Sequence, residues 1–110
     1  MILMSNGENI YPEVIEDKFN GNVYVAESMV MENKGQLEAW VYLDYDLIDS
    51  ETQGKSEQQR LEYIDSVLEK IKNEVNPQLP SFSQIVRVID RKEPFEKTAT
   101  SKIKRYLYIR

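Results

Sequence analysis

The stretch Leu37-Glu38-Ala39-Trp40-Val41-Tyr42-Leu43-Asp44-Tyr45 decides the fold, because it carries the clearest strand signal in the chain. Aliphatic side chains alternate in it with charged or aromatic ones, and a period of two is typical of a β-strand with one buried face. A second segment rich in β-branched and apolar residues, from Val23 to Met31, precedes it, and Asn33-Lys34-Gly35 has the composition of a turn. We therefore predict that the two strands form a hairpin closed by a short loop.

Trp40 and Tyr42 lie on the second face of the predicted strand from Leu37 to Tyr45. Aromatic side chains pack well on strands, so we interpret the two rings as half-covered cross-strand packing. A ligand-stacking role is the alternative for this pair.

Acidic residues cluster after this strand, and we interpret them as a solvated loop before Gly54: Asp44, Asp46, Asp49 and Glu51. A calcium-binding loop needs a denser, ordered run of oxygen ligands with a glycine at its sharp turn. Tyr45, Leu47 and Ile48 interrupt the run. The sequence therefore predicts no metal site here.

Two helices are predicted, one before and one after the hairpin. The first runs from about Pro12 to Phe19, because proline suits the first helical position. The second begins after Ser56, where Ser56-Glu57-Gln58-Gln59 fits a capping box, and it ends at Asn76-Pro77, because proline cannot continue a helix. Its apolar residues form one stripe that we expect to face the core: Leu61, Ile64, Val67, Leu68, Ile71 and Val75.

Shorter segments complete the pattern. Ile2-Leu3-Met4 is typical of the end of a short strand, and Gln84 to Asp90 predicts a third main strand. Tyr106-Leu107-Tyr108-Ile109 fits either a short helix or a strand. The order predicts an α+β fold, a small domain with a largely antiparallel three-stranded sheet, a central hairpin and helices packed on it. At 110 residues the chain fits a single domain, residues 1–110.

Composition excludes several kinds of chemistry. The chain has no cysteine and no histidine, which excludes disulfides, thiol nucleophiles, imidazole bases and the usual zinc ligands. Any chemistry must come from carboxylates, lysines, hydroxyls or backbone amides. No apolar run approaches the roughly 18 residues of a membrane-spanning helix, and Met1-Ile2-Leu3-Met4 is too short for a signal peptide. We expect a cytoplasmic protein.

The net charge of −5 hides an asymmetry along the chain. Residues 91–110 hold seven basic residues against two acidic ones, whereas residues 1–90 hold seven basic residues against seventeen acidic ones. An acidic body with a basic tail attracts an anion locally while it repels long polyanions. This favours a small phosphorylated ligand or an acidic protein surface, and it counts against a nucleic-acid partner.

Two stretches near opposite ends of the chain resemble the motifs of a known family. Ser5-Asn6-Gly7-Glu8-Asn9-Ile10-Tyr11-Pro12-Glu13-Val14-Ile15-Glu16 resembles the motif that opens the C-terminal domain of AMP-forming acyl-CoA synthetases, members of the adenylate-forming superfamily. Lys97-Thr98-Ala99-Thr100-Ser101-Lys102-Ile103-Lys104-Arg105 resembles the motif that closes the same domain. The residues between them, including Glu27-Ser28, fit the domain's spacing, so the resemblance covers essentially the whole chain. It is closest to the long-chain fatty acid branch.

The resemblance implies a two-step reaction. A fatty acid carboxylate attacks ATP to give acyl-adenylate and pyrophosphate, and the sulfur of CoA then displaces AMP; Mg²⁺ takes part in the full-length enzyme. The closing-motif lysine, by position Lys102, enters the active site for the first step. The opening turn, by position Ser5, Asn6, Gly7, Glu8 and Asn9, lines the route of the CoA arm in the second step. Lys104 and Arg105 are expected to contact CoA phosphates or the N-terminal domain, with tail solubility as the alternative.

The chain departs from the family pattern at two positions. Ser101 stands where a glycine usually precedes the lysine, and Asn6 stands where many relatives have a second glycine. The resemblance also implies a large N-terminal domain that holds most of the ATP and acyl sites. We expect this partner domain to lie outside the chain, which is then an excised or separately expressed domain that is inactive in adenylation alone.

A different class of function remains open from the residues. The chain is then a non-catalytic interaction module whose basic C-terminal tail binds an acidic partner. That hypothesis predicts binding that depends on the summed charge of the tail and weakens steeply with salt.

Overall fold

The computed structural model of the protein describes residues 1–4 and 7–108. In these residues the strands are β1 (Ile2–Leu3), β2 (Asn9–Ile10), β3 (Val25–Asn33), β4 (Gln36–Leu43) and β5 (Ile85–Asp90). The helices are α1 (Pro12–Asn20), α2 (Tyr45–Glu51) and α3 (Glu57–Val75). Short 3₁₀ turns follow at Asn76–Gln78, Ser81–Ser83 and Arg105–Leu107.

The main sheet has the strand order β3-β4-β5. β3 and β4 form the predicted hairpin, which runs from the Asn33–Gln36 pair at the turn to the Val25–Leu43 pair at the open end. β5 joins the other side of β4 in parallel, because α3 carries the chain back along the sheet before β5 begins. The predicted α+β fold with a three-stranded sheet and a central hairpin is confirmed, and the sheet is mixed. β1 and β2 pair separately as a two-stranded antiparallel ribbon.

The core lies between the sheet and the helices α1 and α3. The alternating aliphatic residues of β4 are buried, as their period of two predicted, and the α3 residues Ile64, Val67, Ile71 and Val75 belong to the same cluster. The α3 stripe is narrower than predicted, because Leu61 is exposed and Leu68 is half-buried. The capping box is confirmed: Gln59 N–H donates to Ser56 Oγ at 3.2 Å, and Ser56 N–H donates to Gln59 Oε1 at 3.0 Å.

The predicted solvated loop after β4 is wrong, because residues 45–51 form helix α2. Asp44 is its N-cap and accepts a hydrogen bond from the N–H of Leu47 at 3.2 Å. Ile48, which interrupts the acidic run, is fully buried and anchors the helix to the core. The strand ends therefore shift: β4 stops at Leu43, and β3 begins at Val25 and continues to Asn33.

Trp40 and Tyr42 are half-buried on the second face of the sheet, which agrees with their predicted packing role. The centres of the Tyr42 and Tyr45 rings lie 5.7 Å apart, and the two rings are tilted relative to each other. Among the described residues, no helix is both long enough and apolar enough to cross a membrane.

Candidate functional site

A short hairpin near the C-terminus carries Lys102, and we call residues 97–103 the lysine hairpin. Lys97 and Ile103 pair across it as an antiparallel bridge. Thr98 N–H donates to the carbonyl of Lys102 at 2.7 Å, and Ser101 N–H donates to the carbonyl of Thr98 at 2.9 Å. The hydroxyl of Thr98 accepts the N–H of Lys102 at 3.3 Å and lies 3.0 Å from that of Thr100. Backbone and side-chain hydrogen bonds together therefore define the shape of this turn.

Ser101 holds a glycine-like backbone conformation next to Lys102. Its φ angle is +64°, in the left-handed region that residues with a Cβ rarely adopt. The resemblance of the closing motif leads us to expect a glycine here, and Ser101 takes the positive φ in its place, which adds strain to the turn. A serine in this region costs roughly 1–2 kcal/mol relative to an ordinary conformation.

The ammonium of Lys102 is exposed and unpaired. Within residues 1–4 and 7–108, no carboxylate lies within ion-pair distance of it, whereas the nearby Lys97 and Arg105 both form ion pairs. Lys104 resembles Lys102 in having no ion pair in this part of the chain, and its backbone N–H donates to the Glu96 carbonyl at 2.8 Å. Lys102 is therefore a cation presented on a defined turn, available to an anionic group from outside the domain.

The first strand of the lysine hairpin is fixed to β3 through Glu27. The Glu27 carboxylate forms an ion pair with the ammonium of Lys97 and accepts the backbone N–H of Phe95 at 2.9 Å. Phe95 itself is buried, with 4% of its surface exposed. This carboxylate thus anchors both the entry to the hairpin and its first residue.

The segment that leaves the hairpin is fixed to α1 through Glu16. Both terminal nitrogen atoms of Arg105 donate to the Glu16 carboxylate, and the Nη1–Oε2 distance is 2.7 Å. The same Oε2 atom accepts the backbone N–H of Val30 on β3 at 2.7 Å. The pKa of Arg105 is raised above its ordinary value, chiefly by the hydrogen bonds to Glu16. The half-buried guanidinium is therefore held against α1.

A third anchor involves Arg91, Phe95 and Tyr108. The Arg91 guanidinium lies 4.8 Å from the centre of the Phe95 ring and 4.5 Å from that of Tyr108, within cation–π range. The Tyr108 hydroxyl accepts the Glu96 N–H at 2.8 Å and an Arg91 N–H at 3.3 Å. The predicted closing segment thus forms a 3₁₀ turn over Arg105–Leu107. Tyr108 follows the turn and packs on the residues that precede the lysine hairpin. Ile109 lies outside the described residues.

The opening turn joins β1 to β2. Of its five predicted site residues, Ser5 and Asn6 lie outside the described residues, and Gly7, Glu8 and Asn9 are exposed. Gly7 has φ +87°, and its N–H donates to the Met4 carbonyl at 2.9 Å. Among the described residues other than its chain neighbours, no atom lies within 4 Å of the position that a Cβ of Gly7 would take, so glycine is needed there for its backbone angle. An open groove of about 520 Å³ lies beside the turn, lined by Leu3, Met4, Gly7, Glu32 and Gly35.

Comparison with known proteins decides the family. The family model for the AMP-binding enzyme C-terminal domain matches residues 1–110. The chain belongs to this family. The resemblance seen at the opening and closing motifs is confirmed, since the same domain spans both. A comparison with curated proteins found no match.

Solved structures with this fold include several acid–CoA ligases. The Mycobacterium tuberculosis fatty acyl CoA synthetase is 27% identical, with a TM-score of 0.57 over 97% of this chain and 18% of its own. A benzoate CoA ligase from Burkholderia xenovorans is 20% identical, with a TM-score of 0.63 over 91% of this chain and 18% of its own. An anthranilate CoA ligase in complex with anthranoyl-AMP is 19% identical, with a TM-score of 0.70 over 97% of this chain and 18% of its own. The chain thus spans less than a fifth of the length of these proteins.

In this AMP-binding C-terminal domain the two motifs are joined through α1. The opening turn leads through β2 directly into α1, and Glu16 of α1 holds Arg105 of the closing segment. Sequence reasoning placed Lys102 on a loop but missed both anchoring carboxylates. Glu16 appeared only as part of the opening motif and Glu27 only as a spacing marker, and nothing local in the sequence signals partners so far along the chain. No group of three or more metal-ligating side chains occurs among the described residues.

Proposed function

We propose that this domain is the C-terminal part of an AMP-forming fatty acid–CoA ligase and that Lys102 serves the adenylation step. The observation that carries the proposal is the exposed, unpaired ammonium of Lys102 on a turn whose two sides are anchored by Glu27 and Glu16. A cation held in this way is suited to an anion that arrives from a second domain. The proposed partner is the ATP- and acyl-binding N-terminal domain of the same enzyme.

The adenylation step requires a cation near the phosphates of ATP. In the first step a carboxylate oxygen attacks the α-phosphorus of ATP, the bond to the β-phosphate oxygen breaks, and pyrophosphate leaves with the electron pair. Negative charge grows on the phosphoryl oxygens and on the leaving group, and a lysine ammonium placed there in a closed site stabilises it. In the second step the CoA thiolate attacks the acyl carbon, and AMP leaves; Mg²⁺ and ATP belong to the complete enzyme.

The opening turn is proposed to serve the second step. Gly7 is exposed and carries no side chain, so a narrow passage for the CoA arm can form against it when the domain turns. Lys104 is proposed to meet the CoA phosphates or the N-terminal domain, since its ammonium has no ion pair within the described ranges. We do not extend that role to Arg105, whose guanidinium is engaged by Glu16.

Fatty acids are the proposed acyl substrates. The support is the identity of 27% to a fatty acyl CoA synthetase, compared with about 20% for the benzoate and anthranilate ligases. We also propose that the isolated domain is inactive in adenylation, and the cytoplasmic location stays a prediction.

The experiment that tests this proposal uses the complete enzyme, or this chain joined to the N-terminal domain of a fatty acyl CoA synthetase. Pyrophosphate release and thioester formation from supplied acyl-adenylate are assayed separately. Lys102→Ala is expected to slow the first by about 10²-fold and to spare the second. Gly7→Asn, which tolerates a positive φ and adds bulk, is expected to slow only the second. Loss of both half-reactions in both variants, or of neither, would refute the assignment.

In the alternative of an interaction module, fewer positive charges of the basic tail are free to bind a partner than the sequence suggests. Three cations of the basic tail are engaged within the domain, namely Arg91, Lys97 and Arg105. Binding to an acidic partner would then rest on Lys92, Lys102 and Lys104, together with Arg110, which lies outside the described residues. This alternative predicts that substitutions at each of these three lysines weaken binding to the acidic partner equally. It also predicts that Lys102→Ala does not slow one half-reaction more than the other.

A further inference from the structure

We propose that Glu16 and Arg105 form a clasp that positions Lys102, so that Arg105 is a positioning residue for adenylation. This inference rests on the proposed function of Lys102 in that step. Arg105 follows Lys102 by three residues, whereas Glu16 lies 89 residues before Arg105 in the sequence. The clasp therefore ties the closing motif to the helix that follows the opening motif.

The lysine hairpin has little packing of its own. Residues 96–102 are all exposed, and Ile103 is half-buried. Its position relative to the rest of the domain is then set by contacts at its two ends. At the first end Glu27 holds Lys97 and the Phe95 N–H, and at the second end Glu16 holds Arg105. Release of either end would let the turn, and the Lys102 ammonium with it, sample a wider range of positions.

Glu16 is a fixed point for this purpose. It is 6% exposed and lies on α1, and its Oε2 atom also accepts the Val30 N–H at the free edge of β3. A buried carboxylate that accepts a backbone N–H and two guanidinium N–H groups has its position defined from three directions. Arg105 is therefore held by a carboxylate that itself links α1 to β3.

Arginine is required at position 105 by the geometry. The two terminal nitrogen atoms reach the two carboxylate oxygens side by side, a fork that a lysine ammonium cannot reproduce. The more distant Glu13 oxygen lies 3.9 Å from Arg105 Nε and adds attraction without a hydrogen bond. Arg105→Lys keeps the charge and loses the fork, so it separates positioning from simple charge.

The test is made in the complete enzyme that carries this domain, with Arg105→Gln, Arg105→Lys, Glu16→Gln and the double variant Glu16→Gln/Arg105→Gln. Lys70→Ala, on the exposed face of α3, is the control for loss of a surface cation. Rates of pyrophosphate release are measured at saturating substrates, together with the KM for ATP, the rate of thioester formation and the thermal unfolding midpoint.

We expect Arg105→Gln to slow pyrophosphate release by about 10- to 100-fold, because a misplacement near 1 Å costs of that order. The KM for ATP and the thioester rate should stay within about threefold of wild type. The double variant should be no slower than either single variant, since all three break one clasp. Arg105→Lys should fall between wild type and Arg105→Gln, and it carries the test if Arg105→Gln unfolds below the assay temperature.

Three results would overturn the clasp. They are unchanged pyrophosphate release in the Arg105 variants, equal slowing of both half-reactions in proportion to lost stability, and additive effects in the double variant. Lys102→Ala run beside them separates the two proposals. If Lys102→Ala abolishes pyrophosphate release while Arg105→Gln does not, the clasp alone fails. If Lys102→Ala leaves it intact, the proposed function fails.

Discussion

Lys97 at the base of the lysine hairpin forms an ion pair with Glu27 on β3, across 70 positions of the chain. The same Glu27 carboxylate accepts the Phe95 N–H at 2.9 Å. This one side chain on the edge strand β3 therefore fixes where the closing segment begins, before the chain turns at Ser101 and presents Lys102.

The first prediction removes this anchor. Glu27→Gln should lower the free energy of unfolding by about 1–2 kcal/mol, because a partly buried ammonium loses its counterion while the Phe95 hydrogen bond can persist. Urea denaturation measures the change, and native-state hydrogen exchange should show faster exchange at the Thr98 and Lys102 amides. Glu69→Gln, which removes the exposed carboxylate of an i,i+3 pair with Lys72, is the control with little expected change. Protection at Thr98 equal to wild type would contradict the anchor.

The second prediction concerns the strained backbone at Ser101. Ser101→Gly should stabilise the protein by up to about 1 kcal/mol, since relief of the left-handed strain exceeds the added entropy of the unfolded chain. Ser101→Val should destabilise it, because a β-branched side chain tolerates a positive φ poorly. Ser101→Ala is the matched control that removes the hydroxyl and keeps the Cβ. A lower urea midpoint for Ser101→Gly than for Ser101→Ala would show that the strain is absent.

The third prediction is a loss of stability at alkaline pH through Tyr45. The pKa of this phenol is raised above its ordinary value of about 10, first by burial and then by the hydrogen bond to Asp90. The folded protein thus holds the phenol proton more tightly than the unfolded chain does. Its contribution to stability is complete below about pH 10 and is lost as the pH rises toward the folded-state pKa.

Tyr45→Phe should therefore show a shallower fall in unfolding free energy between about pH 9 and 12 than the wild type does. Tyr106→Phe, in an exposed ring, is the control that should keep the wild-type slope. The pKa of Tyr63 is raised too, chiefly by its hydrogen bond to Tyr24, so part of the slope remains in Tyr45→Phe. Identical slopes for Tyr45→Phe and wild type would contradict the assignment to Tyr45.

The fourth prediction tests the N-cap of α2. Asp44→Ala should cost about 1 kcal/mol of stability, because the Leu47 N–H loses its side-chain acceptor. Thermal unfolding measures the loss, and Asp65→Ala on the exposed face of α3 is the control. A loss no larger than that of the control would mean that the helix does not depend on its cap.

These contacts show how far local sequence patterns reach. The period of two in β4 and the capping box at Ser56 predicted the hairpin and α3, because both signals lie within a few residues. Helix α2 was missed because its apolar anchor is the single residue Ile48 among acidic neighbours, which resemble a loop in composition. The parallel pairing of β5 depends on the path of α3 over the sheet, and strand composition does not report it.

In the candidate site too, some features could be predicted from local sequence and others could not. The motif predicts the position of Lys102. It also predicts an unusual backbone angle just before the lysine, because Ser101 stands where the motif usually has a glycine. The pairs Glu16–Arg105 and Glu27–Lys97 join residues that are 89 and 70 positions apart. Their carboxylates look like ordinary surface acids in sequence, since only the packing of α1 and β3 brings them under the closing segment.

The most direct test of the central claim is the single-turnover rate of pyrophosphate release by the complete enzyme with ATP and a fatty acid. Lys102→Ala is compared with Lys70→Ala, an exposed lysine of α3. The account predicts a fall of about 10²-fold for Lys102→Ala and a wild-type rate for Lys70→Ala. Equal rates for the two variants would contradict the assignment of Lys102 to adenylation.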